Sequence, residues 1–397
     1  MTIPTSEIDR LVELVDEDRL VSSLASMVSI PSVNPFDEPV DAQHREQEFA
    51  AAYLENMRAS GLEVFQRDVV PGRPNVFGQL KGSADGPTLM LAGHLDTVGV
   101  DGYPDPFKPV IRDNRLYGRG SCDMKAALAA YIEVAKIISD EKIALSGNLV
   151  VAGVADEEHM MIGSKEISKN GPIPDFAIIG EPTELQVCHA HKGQLCMHIR
   201  TLGKASHSSV PENGVNAINH MGQVLGRLEE YAAELKTRKP HPVCGHARVN
   251  PGVIKGGSIS STVPDYCELE VDRRTLIGEN YETVSREYRD LLDPLSQSVP
   301  DFRFEVGPST LDNAPLDTPA ESEVVQTIAR EFETVTGGKP RIGAFPAATD
   351  APNFLCPAVI CGPGSLNQAH TVDEYVAIPE LVDAARIYLR CALQMIG

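Results

Sequence analysis

The chain has 397 residues, long enough for two or three domains, and its 42% hydrophobic and 23% charged content is ordinary for a soluble globular protein. A formal net charge of −21 excludes a broad basic face of the kind that binds nucleic acid or anionic membranes. The 8 cysteines include no C-x-x-C pair, which excludes a zinc ribbon or disulfide framework and fits a reduced, cytoplasmic protein.

Residues 1–10 are polar, without the apolar centre of a signal peptide, so no leader is expected. No run approaches the ~18 apolar residues of a membrane span. Apolar positions recur at helical spacing over 8–27, and Pro31 ends the pattern. A second amphipathic helix is predicted over 47–60, stopped by Gly61. Strands follow over 62–70 and 75–81. The run 89–92 shows no alternation, so it reads as a strand buried on both faces in a parallel sheet. It leads into His94, with Asp96 two residues on, and alternate residues of an extended chain point to one side. Open α/β sheets bind ligands beyond the carboxyl ends of such strands. A satisfied structural His–Asp pair is the alternative.

Prolines and glycines make 105–122 a loop with a short hairpin. Asp123 then opens a long apolar helix over 124–138, either as its cap or as a carboxylate held ready for two cations. A predicted strand over 147–155 ends in Asp156-Glu157-Glu158, and another over 175–180 ends in Glu181. Acids therefore recur where buried runs finish.

The style changes near 188. Residues 192–202 alternate like a half-buried strand, followed by a helix over 213–235, strands over 247–255 and 265–276, a helix over 281–295 and a strand over 302–306. This β-α-β-β-α-β order is the ferredoxin-like unit. We read 188–308 as a domain inserted into a discontinuous one formed by 1–187 and 309–397. The first style returns with a helix over 322–336 closed by Gly337-Gly338, an irregular segment at Asp350, a strand over 358–361, a glycine-rich loop ending in His370 and a helix over 381–395. The expected fold class is α/β, a mixed, largely parallel sheet flanked by helices plus an inserted ferredoxin-like α+β domain.

Carboxylates and imidazoles suit divalent cations, and hydrolytic ion pairs sit about 3.5–4 Å apart. Asp123 as the bridge, His94 and Glu181 on one ion, and Glu158 and His370 on the other meet the ligand count of such a pair. Glu157 stays uncoordinated, placed to take a proton from water. Asp96 is placed to fix the His94 ring from behind.

The segments His94-Leu95-Asp96-Thr97-Val98, 116–125, Asp156-Glu157-Glu158 and Gly180-Glu181-Pro182-Thr183 resemble the M20 di-zinc metallopeptidases, which include aminoacylases, acetylornithine deacetylase, succinyl-diaminopimelate desuccinylase and carboxypeptidases. The resemblance spans nearly the whole chain. It implies the same metal ligands, zinc ions with cobalt as a substitute, Glu157 as base, and an inserted domain that acts as lid and dimerisation domain. It further implies that His207, before Ser208-Ser209, reaches the neighbouring subunit's site and polarises the scissile carbonyl; by itself it reads as a turn histidine. Arg273 in Val271-Asp272-Arg273-Arg274 matches the family arginine that grips a substrate carboxylate with its bidentate fork. Arg274 is a neighbouring candidate, and a strand salt bridge is the alternative for either. Ser261 stands where many members carry asparagine and is expected to touch substrate less directly. Ala347-Ala348 replace the usual glycines before Thr349-Asp350.

Glu181 rather than aspartate, with 181–183, 191–193, 207–209 and 362–370, is more similar to the deacylase branch. The implied activity is removal of an acyl group from an N-acyl amino acid, most like acetylornithine deacetylase. A desuccinylase comes second, and a dipeptidase or carboxypeptidase acting on short peptides third. A homodimer through the inserted domain is implied, with neither nucleic acid nor membrane as partner. The reading from a different class is a non-catalytic metal-binding module. His159, His189 and His191 match no ligand position, and Cys122 reads as a core or loop thiol.

Overall fold

The computed structural model describes residues 3–83 and 86–397; the first two residues of the polar segment 1–10 lie outside these. The chain divides into two compact units, one formed by Met1–His189, Thr318–Phe345 and Thr349–Gly397, the other by Ala190–Asp317 and Pro346–Ala348.

The first unit is built on a sheet whose strands run in the order Glu63–Val70, Arg73–Leu80, Asn148–Val154, Thr88–His94, Phe176–Pro182, Ala358–Gly362, Val187–His191. Pairing is parallel from Asn148–Val154 through Ala358–Gly362 and antiparallel at both flanks. Leu89, Met90, Leu91 and Ala92 have no exposed surface. Continuous burial is what a parallel strand covered on both faces requires.

The helix Lys125–Asp140 is buried along nearly all its length. It approaches the sheet at Gly180, where a Cβ would come within 2.2 Å of the Ala127 Cβ. Tyr131 Oη donates to the Ala92 carbonyl at 3.1 Å, fixing this helix to the central strand. Among the described residues no helix is long and apolar enough to cross a membrane.

The periodic stretch expected as one helix over 8–27 is two, Thr5–Val12 and Glu17–Val28. Asp16 causes the break: its carboxylate accepts the Arg19 N–H at 2.9 Å, starting a new helix, while its own N–H goes to Glu133. The helix Ile162–Asn170 was not expected, because its polar sequence carries little apolar period.

The second unit is a four-stranded antiparallel sheet in the order Arg248–Gly256, Tyr266–Thr275, Gly193–Leu202, Arg303–Asn313. Chain order and strand order together are those of the ferredoxin-like unit. Helices Ala217–Leu235 and Tyr281–Ser298 close a core of Leu195, Met197, Ile199, Val224, Leu228, Leu269, Val271, Tyr288 and Leu292. Strand Gly193–Leu202 alternates buried and half-buried residues throughout. The last strand runs past Val306 to Asn313, with irregular register at Ser309.

Candidate metal centre

His94 is the last residue of its strand and is buried. Its Nδ1 donates to the main-chain carbonyl of Asp96 at 2.8 Å. That bond fixes the tautomer with the Nε2 lone pair directed forward. Nε2 faces Asp123 Oδ1 at 3.1 Å and Glu181 Oε2 at 3.9 Å. Asp123 precedes the helix Lys125–Asp140, and its other oxygen, Oδ2, lies 3.5 Å from His370 Nε2. His370 Nε2 is also 3.3 Å from Glu158 Oε2. The segment that carries His370 turns through the left-handed region there, with φ 62°.

Two overlapping groups have ligand atoms all within 4.8 Å of one another: His94, Glu157 and Glu181; and His94, Asp123 and Glu158. Glu158 Oε1 and Glu181 Oε1 are buried without a hydrogen-bond partner. Buried carboxylate oxygens left in that state are costly unless a cation meets them. The donor set, imidazole nitrogen and carboxylate oxygen, suits zinc or a similar divalent ion. The residues present therefore fit a metal.

The charges say the same. Burial, followed by the negative charge of Glu181, holds the Glu157 carboxyl well above the usual carboxylate range. Burial likewise raises Glu181, countered by His94, and raises Glu158 beside Asp123. Hydrogen bonds to Asp123 and Glu158 lift His370 to about 10. Asp123 is held low despite its burial, by hydrogen bonds and positive charge from His370 and His94 when these imidazoles are protonated. Asp350, on which Ser164 Oγ donates, is pushed up to about 7, chiefly by burial.

Asp96 acts differently from the sequence expectation. Its carboxylate does not hold the His94 ring, from which Oδ1 lies 3.7 Å away; its main-chain carbonyl does that. The carboxylate instead accepts the Glu157 and Glu158 N–H groups at 3.0 and 3.1 Å. Asn34 Nδ2 donates to Asp96 at 2.7 Å and to Asp156 at 2.9 Å. Arg73 pairs with Asp156 at 2.5 Å and with Glu46 at 2.6 Å. Asp156, at φ 70°, is thus gripped in a strained turn that sets the next two carboxylates. Asn34, Arg73 and Glu46 were not found from the sequence, where they stand in unrelated segments with no spacing to mark them.

The remaining expected residues belong to the second unit. His207 is exposed on a short pairing with Thr262, and its Nδ1 meets Ser209 Oγ at 2.7 Å. Exposed Ser261 lies beside it, its carbonyl accepting the Ser208 N–H at 2.9 Å. Arg273, expected to grip a substrate carboxylate, has no exposed surface. Its Nη2 donates to Glu279 and its Nη1 to the Arg274 carbonyl, both at 2.6 Å. Its guanidinium is thus turned into contacts within that unit rather than toward solvent. Arg274 points to the other face, half-buried, with Nε on Asp272 at 3.0 Å. Period-two alternation held the signal: Cys267, Leu269 and Val271 put Arg273 on the core side. His189 is occupied by the Thr318 carbonyl at 2.6 Å and His159 by Asp37 at 3.1 Å.

With this geometry in hand, comparison with known proteins is specific. Residues 90–394 match the model of peptidase family M20/M25/M40. The chain is 33% identical over 360 residues to the acetylornithine deacetylase of Salmonella heidelberg (strain SL476), covering 88% of this chain and 91% of that protein. Its fold is similar to that of aminopeptidase PepT from Bacillus cereus, with a TM-score of 0.78 at 20% identity over 96% of this chain and 99% of that one. It is also similar to a dinuclear metal-binding peptidase of the M20 family from Bacillus subtilis, with a TM-score of 0.70 at 15% identity over 95% and 97%. The sequence match over most of its length, joined to acids and histidines gathered from strand ends, a helix start and a loop, makes this chain a member of peptidase family M20/M25/M40.

Proposed function

We propose that the protein hydrolyses the amide bond of an N-acyl amino acid, as its similarity to acetylornithine deacetylase suggests, using two divalent ions held in the first unit. The observation that carries this reading is the division of Asp123: Oδ1 faces His94, whose Nε2 also faces Glu181, and Oδ2 faces His370, whose Nε2 also faces Glu158. A bridging carboxylate with one imidazole and one acid on either side is the donor set of a hydrolytic ion pair. His94, Glu181 and Asp123 would hold one ion, and Glu158, His370 and Asp123 the other. When bound, such a pair acidifies a water and polarises a carbonyl oxygen.

Glu157 is the proposed base. It lies beside His94 and Glu181 and is left over from the ligand count, so its carboxylate is free to take a proton from water and return it to the leaving amine. Asp96 and Asn34 hold the peptide on which Glu157 stands. His207 from the other copy of a homodimer is proposed to stabilise the oxyanion. Ser261, whose carbonyl accepts the Ser208 N–H beside His207, is proposed to touch substrate, and Arg274, half-buried where Arg273 is fully buried, is the proposed carboxylate-binding arginine. Zinc is the proposed ion, cobalt its substitute, in a cytoplasmic enzyme of amino-acid metabolism. A role in arginine biosynthesis follows if acetylornithine is preferred.

The test is amine release from a panel by protein reconstituted with zinc or cobalt. The panel holds Nα-acetylornithine, other N-acetyl amino acids, N-succinyl-diaminopimelate and plain dipeptides. Preference for one N-acetyl amino acid supports the reading. Preference for dipeptides or the succinyl substrate replaces it, and two bound metals without any turnover leave a metal-binding module.

A further inference from the structure

Glu374 lies shortly after His370 and has no exposed surface. Its Oε1 accepts the Cys122 N–H at 2.8 Å and the Asp123 N–H at 3.0 Å. Its other oxygen takes Arg119 Nη1 at 2.5 Å. Its main-chain carbonyl accepts the Gly118 N–H at 3.1 Å. Arg119, itself buried, reaches on with Nη2 to the Gly99 carbonyl at 3.0 Å. One buried ion pair thus ties together the segment after His94 and Asp96, the loop that presents Asp123, and the segment after His370.

A buried ion pair adds little net stability compared with an apolar core. Here its hydrogen bonds converge on the peptide of the one carboxylate whose two oxygens face both histidines. A small displacement of that peptide shifts both halves of the site together, and such sites tolerate only about 0.5 Å of misplacement. We propose that Glu374, braced by Arg119, is a positioning residue that fixes the Asp123 peptide so that its two carboxylate oxygens divide between the His94 and His370 sides. The inference rests on the two-ion reading of this site.

The experiment uses the full-length metal-free protein and the variants Glu374→Ala, Glu374→Gln and Arg119→Met. Zinc and cobalt binding are titrated against a chromogenic chelator, the cobalt d–d spectrum is recorded, and far-UV circular dichroism reports the fold. Glu374→Ala is expected to weaken both metal equivalents by about 10–100-fold and to change the cobalt spectrum while the fold is kept. Glu374→Gln retains an oxygen for the Cys122 and Asp123 N–H groups but not the charge facing Arg119, so its loss is smaller. Should Glu374→Ala not fold, Glu374→Gln and Arg119→Met decide the matter through the same titration. Folded variants with wild-type affinity and spectrum overturn the proposal. A wild-type protein that takes up only one equivalent overturns the two-ion reading, and this inference with it.

Discussion

Two neighbouring carboxylates, Glu157 and Glu158, sit on one turn and are assigned different work. Glu158 faces His370 at 3.3 Å, whereas Glu157 groups with His94 and Glu181, and burial and the charge of Glu181 push its carboxyl above the usual range. Glu157→Gln is expected to retain both metals and lose at least about 10²–10⁴-fold in kcat, the usual contribution of general acid–base catalysis. Metal analysis beside turnover checks this, and parallel loss of metal would make Glu157 a ligand. The Asp96 carboxylate holds the main chain of both residues, and Asn34 holds Asp96. Asp96→Ala and Asn34→Ala should each lower kcat, Asp96→Ala by about 10–100-fold, the range for outer partners of metal sites. Because they act on one turn, the double variant should lose less than the product of the single losses. Fully independent effects would mean that the residues do not work through the same turn.

At the level of elements, the centre depends on how closely the helix Lys125–Asp140 lies on the sheet. Gly180, one residue before Glu181, makes that approach available: an added Cβ would meet the Ala127 Cβ at 2.2 Å and Tyr131 Oη at 2.6 Å. Both are held, Ala127 by its helix and Tyr131 by the Ala92 carbonyl. Gly180→Ala is therefore expected to cost about 1–3 kcal/mol of stability through overpacking. It should also weaken metal binding, since Glu181 must move with the strand. Denaturant melts and metal titration measure the two effects, and an unchanged midpoint would show that the helix can withdraw freely. The N-terminal end of the same helix is fixed by Lys125, whose Nζ donates to the Met27 and Ile30 carbonyls at 3.1 and 2.8 Å.

For the molecule as a whole, the acids of the centre add to a net charge of −21 and make metal a stability factor as well as a catalytic one. Glu157, Glu158 and Glu181 ionise at about 4.3 in the unfolded chain, and higher than that in the fold. The folded state then carries more protons than the unfolded one, so stability falls as pH rises. His94 and His370 act in the same sense: their contribution is full below about 6.5, the unfolded value. It is lost as pH climbs through the raised folded values, about 10 for His370. Asp123 opposes this only in acid, its contribution being present above about 3.9 and lost as pH falls through its lowered folded value. The metal-free protein should melt at progressively lower temperature from pH 6 to pH 9, and a flat or rising profile would contradict the cluster's electrostatics. Zinc at 100 times its dissociation constant should restore about 2.7 kcal/mol.

Sequence alone determined what depends on local pattern. Unbroken burial of 89–92 marked the parallel core, alternation over 192–202 marked the second unit, and acids after buried runs marked the candidate metal site, because strand ends in such sheets converge on one edge. Motif resemblance then supplied an order for His94, Asp123, Glu157, Glu158, Glu181 and His370. Tertiary structure decided what depends on contacts between distant segments. It moved the Asp96 carboxylate from the His94 ring to the 157–158 turn, brought Asn34, Arg73 and Glu46 beneath that turn, and set Glu374 against the Asp123 peptide. A buried polar group takes whichever partner the fold brings within about 3 Å, and no spacing along the chain encodes that choice. Arg273 shows the boundary between the two kinds of knowledge: its side of the strand was legible in the alternation of 267–273, but its partner Glu279 was not.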